Sequence, residues 1–265
     1  MKVKFCGTRG SVSISNSDSV NYGGNTTSLR IISECIPPGM VLAIDAGTGY
    51  VPMCREAMNE GGLKEILTLL THFHHDHTQG IFLAAPTFIP SIKKKFCGPK
   101  EMGIGPKEMM EEMMKPPFFP VHFKTVASHH HFIGLEVPNT TILLVHPKGG
   151  YKFMEIHHYE RLTGEGRYLP IGKGKYPEIE CLVATMYKSN HPEQTISYRF
   201  EEKPTGRVFV FMTDHENEAG IPQELKRHLK GVNLLVMDAQ YTRKVYDERT
   251  AGFGHGTPDY CVHIA

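Results

Sequence analysis

Short apolar runs, separated by Gly, Pro and Asn turns, alternate along the chain with stretches of helical periodicity. Residues 3–6 form a first apolar run that ends in the loop Gly7-Thr-Arg-Gly-Ser11. Ser28–Ile32 and Met40–Ile44 read as two strands of a hairpin turned by Pro37-Pro38-Gly39. Asp45-Ala-Gly-Thr-Gly49 closes the second strand, and Tyr50–Asn59 reads as a helix that stops at Gly61-Gly62. Residues 66–71 are apolar almost throughout, as a strand covered on both faces requires, and 79–85 read as a helix. Further on, 179–187, 195–200, 208–212 and Leu234–Met237 read as strands, with a helix over 222–229. The alternation predicts an α/β fold with interior sheets and outer helices.

Two stretches interrupt the rhythm. Residues 100–120 carry Met109-Met110-Glu-Glu-Met113-Met114, whose spacing predicts a core or interface helix face rather than a ligand site. Residues 147–178 are rich in Gly, Lys, Tyr and Pro and are expected to form a surface insertion, a lid or a subunit contact. Either stretch could supply a homodimer contact. No repeat or low-complexity linker divides the chain.

The length of 265 residues lies near the upper limit of a single core, and one domain over 1–265 is expected. The net charge of +1 excludes a bulk electrostatic pull toward nucleic acid or a membrane. A long nucleic acid is therefore not expected as a partner, although Lys93-Lys-Lys95 could touch phosphates locally. Cys6, Cys35, Cys54, Cys97, Cys181 and Cys261 are scattered, which points to reduced thiols rather than a disulfide framework. The N-terminus lacks the apolar stretch of a signal peptide, and no run approaches the roughly 18 apolar residues of a membrane span. A cytoplasmic location is expected.

Chemistry concentrates at Thr71-His72-Phe-His-His-Asp-His77. His72 and His74 are two apart in extended chain and point the same way, while Asp76 and His77 begin the following helix and turn back. Imidazole with carboxylate suits zinc, manganese or iron, and two such pairs side by side suit two metals about 3.5–4 Å apart. The bland alternative, a solvated polar loop, fits poorly with a string that follows a buried strand. His75, the odd member, is expected to face solvent.

This string, with Gly7-Thr-Arg-Gly-Ser11, Tyr22-Gly-Gly-Asn-Thr26 and Asp45-Ala-Gly-Thr-Gly49, resembles the metallo-β-lactamase superfamily over nearly the whole chain. The likeness is to its phosphodiesterase branch: cyclic nucleotide phosphodiesterases, phosphoribosyl cyclic phosphodiesterase and the tRNA 3′-processing endonucleases. It implies an αββα sandwich, two mixed sheets packed face to face with helices outside. It further implies His191, in Asn190-His-Pro192, as the third histidine of a first metal, and Asp214, ending Phe209–Asp214, as a carboxylate bridging both metals. The implied metal ligands are thus His72, His74, Asp76, His77, His191 and Asp214, holding two divalent ions, Zn2+ first, with Mn2+ or Fe2+ served equally by such donors. Gly254-His255-Gly-Thr257 resembles the His-x-Thr element, whose histidine donates a proton to the leaving oxygen; a helix-capping loop residue is the alternative. Asp45 is implied to fix the tautomer of a ligand histidine, and Asp238-Ala-Gln-Tyr241 to be structural.

The resemblance also implies a seventh ligand, a histidine in an apolar strand beyond the His-x-Thr element. His263 comes too early for it. The chain shown is accordingly expected to stop short of its natural C-terminus, with the second metal site incomplete. The implied activity is hydrolysis of a small cyclic phosphodiester or cyclic nucleotide through a metal-bridging hydroxide, with His255 and Asp214 as catalytic residues. The alternatives are a thioester or lactone hydrolase of the same fold and a metal-poor binding or regulatory protein. Zinc β-lactamases carry Cys or Ser where Asp214 stands, glyoxalase-like thioesterases lack the His-x-Thr element, and di-iron oxidoreductases carry Glu in place of His74.

Overall fold

The apolar runs become the strands of two sheets, because parallel or interior strands must be covered on both faces. The computed structural model describes residues 1–265. Its contacts gather the chain into two units, Met1–Glu136 and Val137–Ala265, each built round a six-stranded mixed sheet.

In the first unit β1 (Lys2–Gly7), β2 (Ser28–Ile32), β3 (Met40–Ile44), β4 (Glu65–Leu69), β5 (Lys93–Pro99) and β6 (His130–Leu135) lie in that order across the sheet. β1, β2 and β3 pair antiparallel, as the Pro37-Pro38-Gly39 turn predicts, and β3 through β6 pair parallel. Parallel neighbours need crossovers. α1 (Tyr50–Asn59) links β3 to β4, α2 (His75–Leu83) links β4 to β5, and α3 (Pro106–Met113) precedes β6. Ile66, Leu70, Phe96, Tyr50, Met53 and Ile81 pack into one core cluster. Met109, Met110 and Met114 are buried in the same cluster, so the methionine spacing marks a core-facing helix.

Two local readings change. α2 starts at His75, four residues before the apolar periodicity over 79–85, so Asp76 and His77 lie in its first turn as the histidine string implied. Lys93-Lys-Lys95 is not a uniform basic patch but the start of β5, whose two-residue period turns Lys94 inward. There Lys94 Nζ donates to the Ile89 carbonyl at 2.8 Å, and burial brings its pKa down to about 8.

In the second unit the order is β14 (Leu234–Met237), β13 (Arg207–Met212), β12 (Ile196–Glu202), β11 (Leu182–Lys188), β7 (Thr141–His146) and β8 (Gly150–Glu155). All neighbours are antiparallel except β13 and β14. Residues 147–178, expected as a surface insertion, supply edge strand β8, helix α4 (Ile156–Gly164) and the hairpin of β9 (Leu169–Ile171) and β10 (Gly174–Tyr176). Leu162, Leu169 and Ile171 from this stretch are buried against Ile142, Leu144 and Val183 of the sheet. α5 (Gln223–Leu229) covers β13 through Leu225 and Val210, and α6 (Arg243–Val245) and α7 (Pro258–Ile264) complete the unit. The cysteines form no disulfide, and no helix is long and apolar enough to cross a membrane.

Candidate metal and catalytic site

The first unit carries its predicted ligands just past the carboxyl end of interior strand β4, and the second carries Asp214 just past that of β13. In the first unit β4 runs out at Leu69, and Thr71 through His77 cross from strand to helix. His74 is the N-cap of α2, with Thr78 Oγ1 donating to its carbonyl at 3.0 Å. Asp76 falls in the first helical turn, where a carboxylate suits the positive end of the helix dipole. The rings of His72 and His74 lie 4.5 Å apart, and those of His72 and His77 4.3 Å apart. Asp76 Oδ2 approaches His77 Nε2 to 3.4 Å. All four predicted ligands of this unit therefore converge, while His75 is exposed as expected.

One buried carboxylate orders this set. Asp45 Oδ2 accepts from His77 Nδ1 at 2.8 Å, and Oδ1 accepts from the Thr71 backbone N–H at 2.7 Å. The Thr71 hydroxyl donates to Asp45, which leaves its oxygen to accept from His72 Nδ1 at 3.0 Å. Both histidines are thereby held with Nδ1 protonated, so Nε2 is the nitrogen a metal would take. Burial pushes the Asp45 carboxyl up, against the His77 and Thr71 donors that pull it down. Asp45 itself has φ 55°, a left-handed conformation that aspartate tolerates better than most residues. The loop it begins sits tightly on α2, because a Cβ on Gly80 would come within 2.1 Å of the Gly47 carbonyl oxygen. Asp76 is anchored separately, its Oδ2 accepting from the Ser11 backbone N–H at 2.7 Å.

In the second unit the predicted site residues come from separate loops. Asp214 follows β13, again with a left-handed φ of 49°, and Thr213 donates to its Oδ1 at 2.7 Å. His191 lies in the turn between β11 and β12, its Nδ1 3.0 Å from Thr195 Oγ1 and 3.3 Å from Glu193 Oε2. His255 stands edge-on to His191 at 6.3 Å between ring centres, with its Nδ1 3.8 Å from Asp214 Oδ2. The segment before it presses on His191: Gly254 has φ +86°, and a Cβ there would meet His191 Cδ2 at 2.2 Å. The three predicted residues of this unit thus come together. His263 lies exposed on α7.

Asp238, read from sequence as structural, touches the predicted proton donor. Its Oδ2 accepts from His255 Nδ1 at 2.9 Å and from the Gly256 N–H at 3.1 Å, while Oδ1 accepts from Gln240 N–H at 2.9 Å. The carboxylate holds Nδ1–H and so orients the ring. Tyr241 stands edge-on to the same ring at 5.6 Å. Ser11, Thr71, Thr195, Glu216 and Asp238 all escaped assignment from sequence as supports. Only Ser11, Thr71 and Asp238 lay in stretches whose pattern drew attention.

Comparison with known structures shows what this architecture is. YhfI from Bacillus subtilis, described as a metallo-beta-lactamase fold protein, superposes with a TM-score of 0.58 over 99% of this chain and 80% of its own, at 14% identity. The chain has the metallo-β-lactamase fold. Human tRNase Z, short form (ELAC1), matches with a TM-score of 0.54, covering 100% of this chain and 87% of its own at 16% identity. Unliganded yeast PDE1 matches with a TM-score of 0.55, covering 99% and 80% at 10% identity. Neither protein-family profiles nor curated proteins give a match. Within the metallo-β-lactamase fold of this chain, the histidine string and Asp214 follow interior strands β4 and β13. Strand ends of this kind hold side chains rigidly, while the loops beyond them remain variable.

Proposed function

We propose that the protein is a metal-dependent phosphodiesterase acting on a small cyclic phosphodiester or cyclic nucleotide. The donor chemistry supports the metal: His72, His74, Asp76 and His77 of the first unit, and His191 and Asp214 of the second, are imidazoles and carboxylates of the kind that hold divalent ions. Six such donors are enough for two ions. A metal held there would act as a Lewis acid toward phosphoryl oxygens and lower the pKa of water, making hydrolysis feasible near neutral pH.

The protein's own residues account for the remaining steps. Asp45 and Thr71 fix the tautomers of His77 and His72. His255 gives the departing alkoxide a proton from Nε2, while Asp238 keeps Nδ1–H in place. The observation that carries the phosphodiesterase reading is this His255–Asp238 pair beside Asp214. A thioester hydrolase, whose thiolate leaves without help, gains little from such a donor. The names of two similar structures, tRNase Z and PDE1, support the same direction.

The test is a substrate panel with the metal-stripped protein, reloaded with Mn2+ or Zn2+. Turnover of bis-p-nitrophenyl phosphate and of at least one cyclic nucleotide, restored by metal, is expected. Hydrolysis of thioesters or lactones with inert phosphodiesters would overturn the reading in favour of another hydrolase.

A further inference from the structure

Next to Asp214, the side chains of His215, Glu216 and Asn217 reach three other loops of the second unit. His215 Nδ1 accepts from the Asn190 N–H at 3.1 Å, next to His191, and its Nε2 faces Tyr260 Oη at 3.4 Å. Asn217 exchanges two hydrogen bonds with Thr257, the N-cap of α7: Oδ1 accepts from its N–H and Nδ2 donates to its hydroxyl, both at 3.2 Å. Glu216 reaches the loop between these points. Its Oε1 accepts from the Tyr246 hydroxyl at 2.8 Å and from the Gly252 N–H, and its Oε2 accepts from the Gly254 N–H at 2.8 Å. Its own backbone is tied to Asn190, with Glu216 N–H donating to the Asn190 carbonyl at 2.8 Å.

We propose that Glu216 is a positioning residue for proton transfer: its carboxylate pins the Gly252–Gly254 loop so that His255 stands in a fixed place beside Asp214. The inference rests on the phosphodiesterase reading for its functional consequence, though not for its geometry. The loop needs such an anchor. Gly252 and Gly254 both adopt left-handed φ, at +92° and +86°, where the chain has most freedom to lose. Their N–H groups point to one side chain rather than into a ladder of backbone bonds. A carboxylate that accepts two backbone N–H groups and a phenol fixes the loop at several points with charge-assisted bonds. Asp238 then sets the ring's tautomer, while Glu216 sets where the ring stands.

A purely structural glutamate would depress all activities alike. A residue that places a general acid hurts most where the leaving group needs a proton. The experiment compares Glu216→Ala, Glu216→Gln and His255→Ala in the full chain loaded with Mn2+, on a 2′,3′-cyclic nucleotide and on bis-p-nitrophenyl phosphate. The alkoxide leaving group of the first needs protonation far more than the p-nitrophenolate of the second. Glu216→Ala is expected to lower kcat on the cyclic nucleotide by about 10²-fold, within the range of general-acid catalysis, with KM changed only slightly. The loss on bis-p-nitrophenyl phosphate should be at least about tenfold smaller, and the Glu216→Ala/His255→Ala double variant no worse than His255→Ala alone. Glu216→Gln, which keeps one acceptor oxygen, should fall between wild type and Glu216→Ala. Equal losses on both substrates, or losses that add in the double variant, would overturn the proposal.

A second measurement is independent of turnover. Amide exchange and NMR of the His255 ring, in wild type and Glu216→Ala, should show faster exchange at Gly252 and Gly254 and shifted ring resonances, with β11–β13 amides unchanged. Unchanged exchange and an unshifted His255 ring would sink the role of Glu216. If the wild type hydrolyses neither phosphodiester, the phosphodiesterase reading fails, while this second measurement still decides whether Glu216 places His255.

Discussion

The two units assemble their predicted site residues by opposite means. The first draws His72, His74, Asp76 and His77 from one contiguous string at a strand–helix junction, with one buried carboxylate, Asp45, holding His77 and, through Thr71, His72. The second gathers His191, Asp214 and His255 from three separated loops, held by several supports, with Asp238, Glu216 and Thr195 among them. A contiguous string inherits its geometry from local secondary structure. A dispersed set must be assembled by side chains that do no chemistry themselves. The first arrangement should therefore fail in metal affinity when its support is lost, and the second in turnover.

The largest effect should come from the ligands themselves. His72→Ala and Asp214→Ala are expected to lose bound metal and to cut kcat/KM on the order of 10³-fold or more, measured by elemental analysis with phosphodiester assays. Equal damage from both would place the two sets on one centre. Retention of full metal by either would separate them.

His255→Ala comes next, with kcat lower by about 10²–10⁴-fold and metal content unchanged. A loss of metal instead would move His255 from proton donor to ligand. The supports sharpen the contrast further. Asp45→Ala should weaken metal binding by about 10–100-fold, seen by calorimetric titration. Asp238→Ala should leave that affinity alone and lower kcat.

How much of this was legible follows the same division. His72 through His77 could be read directly, because spacing of two along a strand and the start of a helix fix direction locally. His191, Asp214 and His255 are single residues whose meaning came from resemblance to a superfamily, since nothing local distinguishes them from other loop histidines and aspartates. Glu216 gave no signal at all: its partners, Tyr246, Gly252 and Gly254, lie 30, 36 and 38 residues on, and are brought back only by the fold. Strands were legible where both faces are apolar, as in Met40–Ile44. β5 was hidden because Lys93-Lys-Lys95 masks the alternation that buries Lys94, and the histidines of His130–Leu135 concealed β6 in the same way.

Acid should reach both units through buried histidines away from the ligands. Burial lowers His130, in the first unit, to about 4, and His228, in the second, to about 3. Each is a base whose folded pKa lies below its unfolded value of about 6.5. Their contribution is intact above that pH and is lost as pH falls, because the unfolded chain takes up protons that the folded chain refuses. The loss amounts to about 1.4 kcal/mol for each unit of pH below 6.5 per histidine, and for His130 it levels off near its folded value. Urea unfolding should thus show lower stability at pH 5 than at pH 7, with a shallower slope in His130→Phe and His228→Phe. The smallest effect is expected from His75→Ala, which removes an exposed ring from within the string and should change stability by no more than about 0.5 kcal/mol. A large loss of metal in that variant would give the odd histidine a place among the ligands.

The most direct test of the account is a metal titration of the stripped protein, following bound metal by elemental analysis and turnover of bis-p-nitrophenyl phosphate in the same samples. Turnover should be absent without metal, appear as Mn2+ or Zn2+ binds, and disappear in His72→Ala and Asp214→Ala. Phosphodiester hydrolysis by the stripped protein, or a metal-loaded protein inert toward every phosphodiester offered, would contradict it.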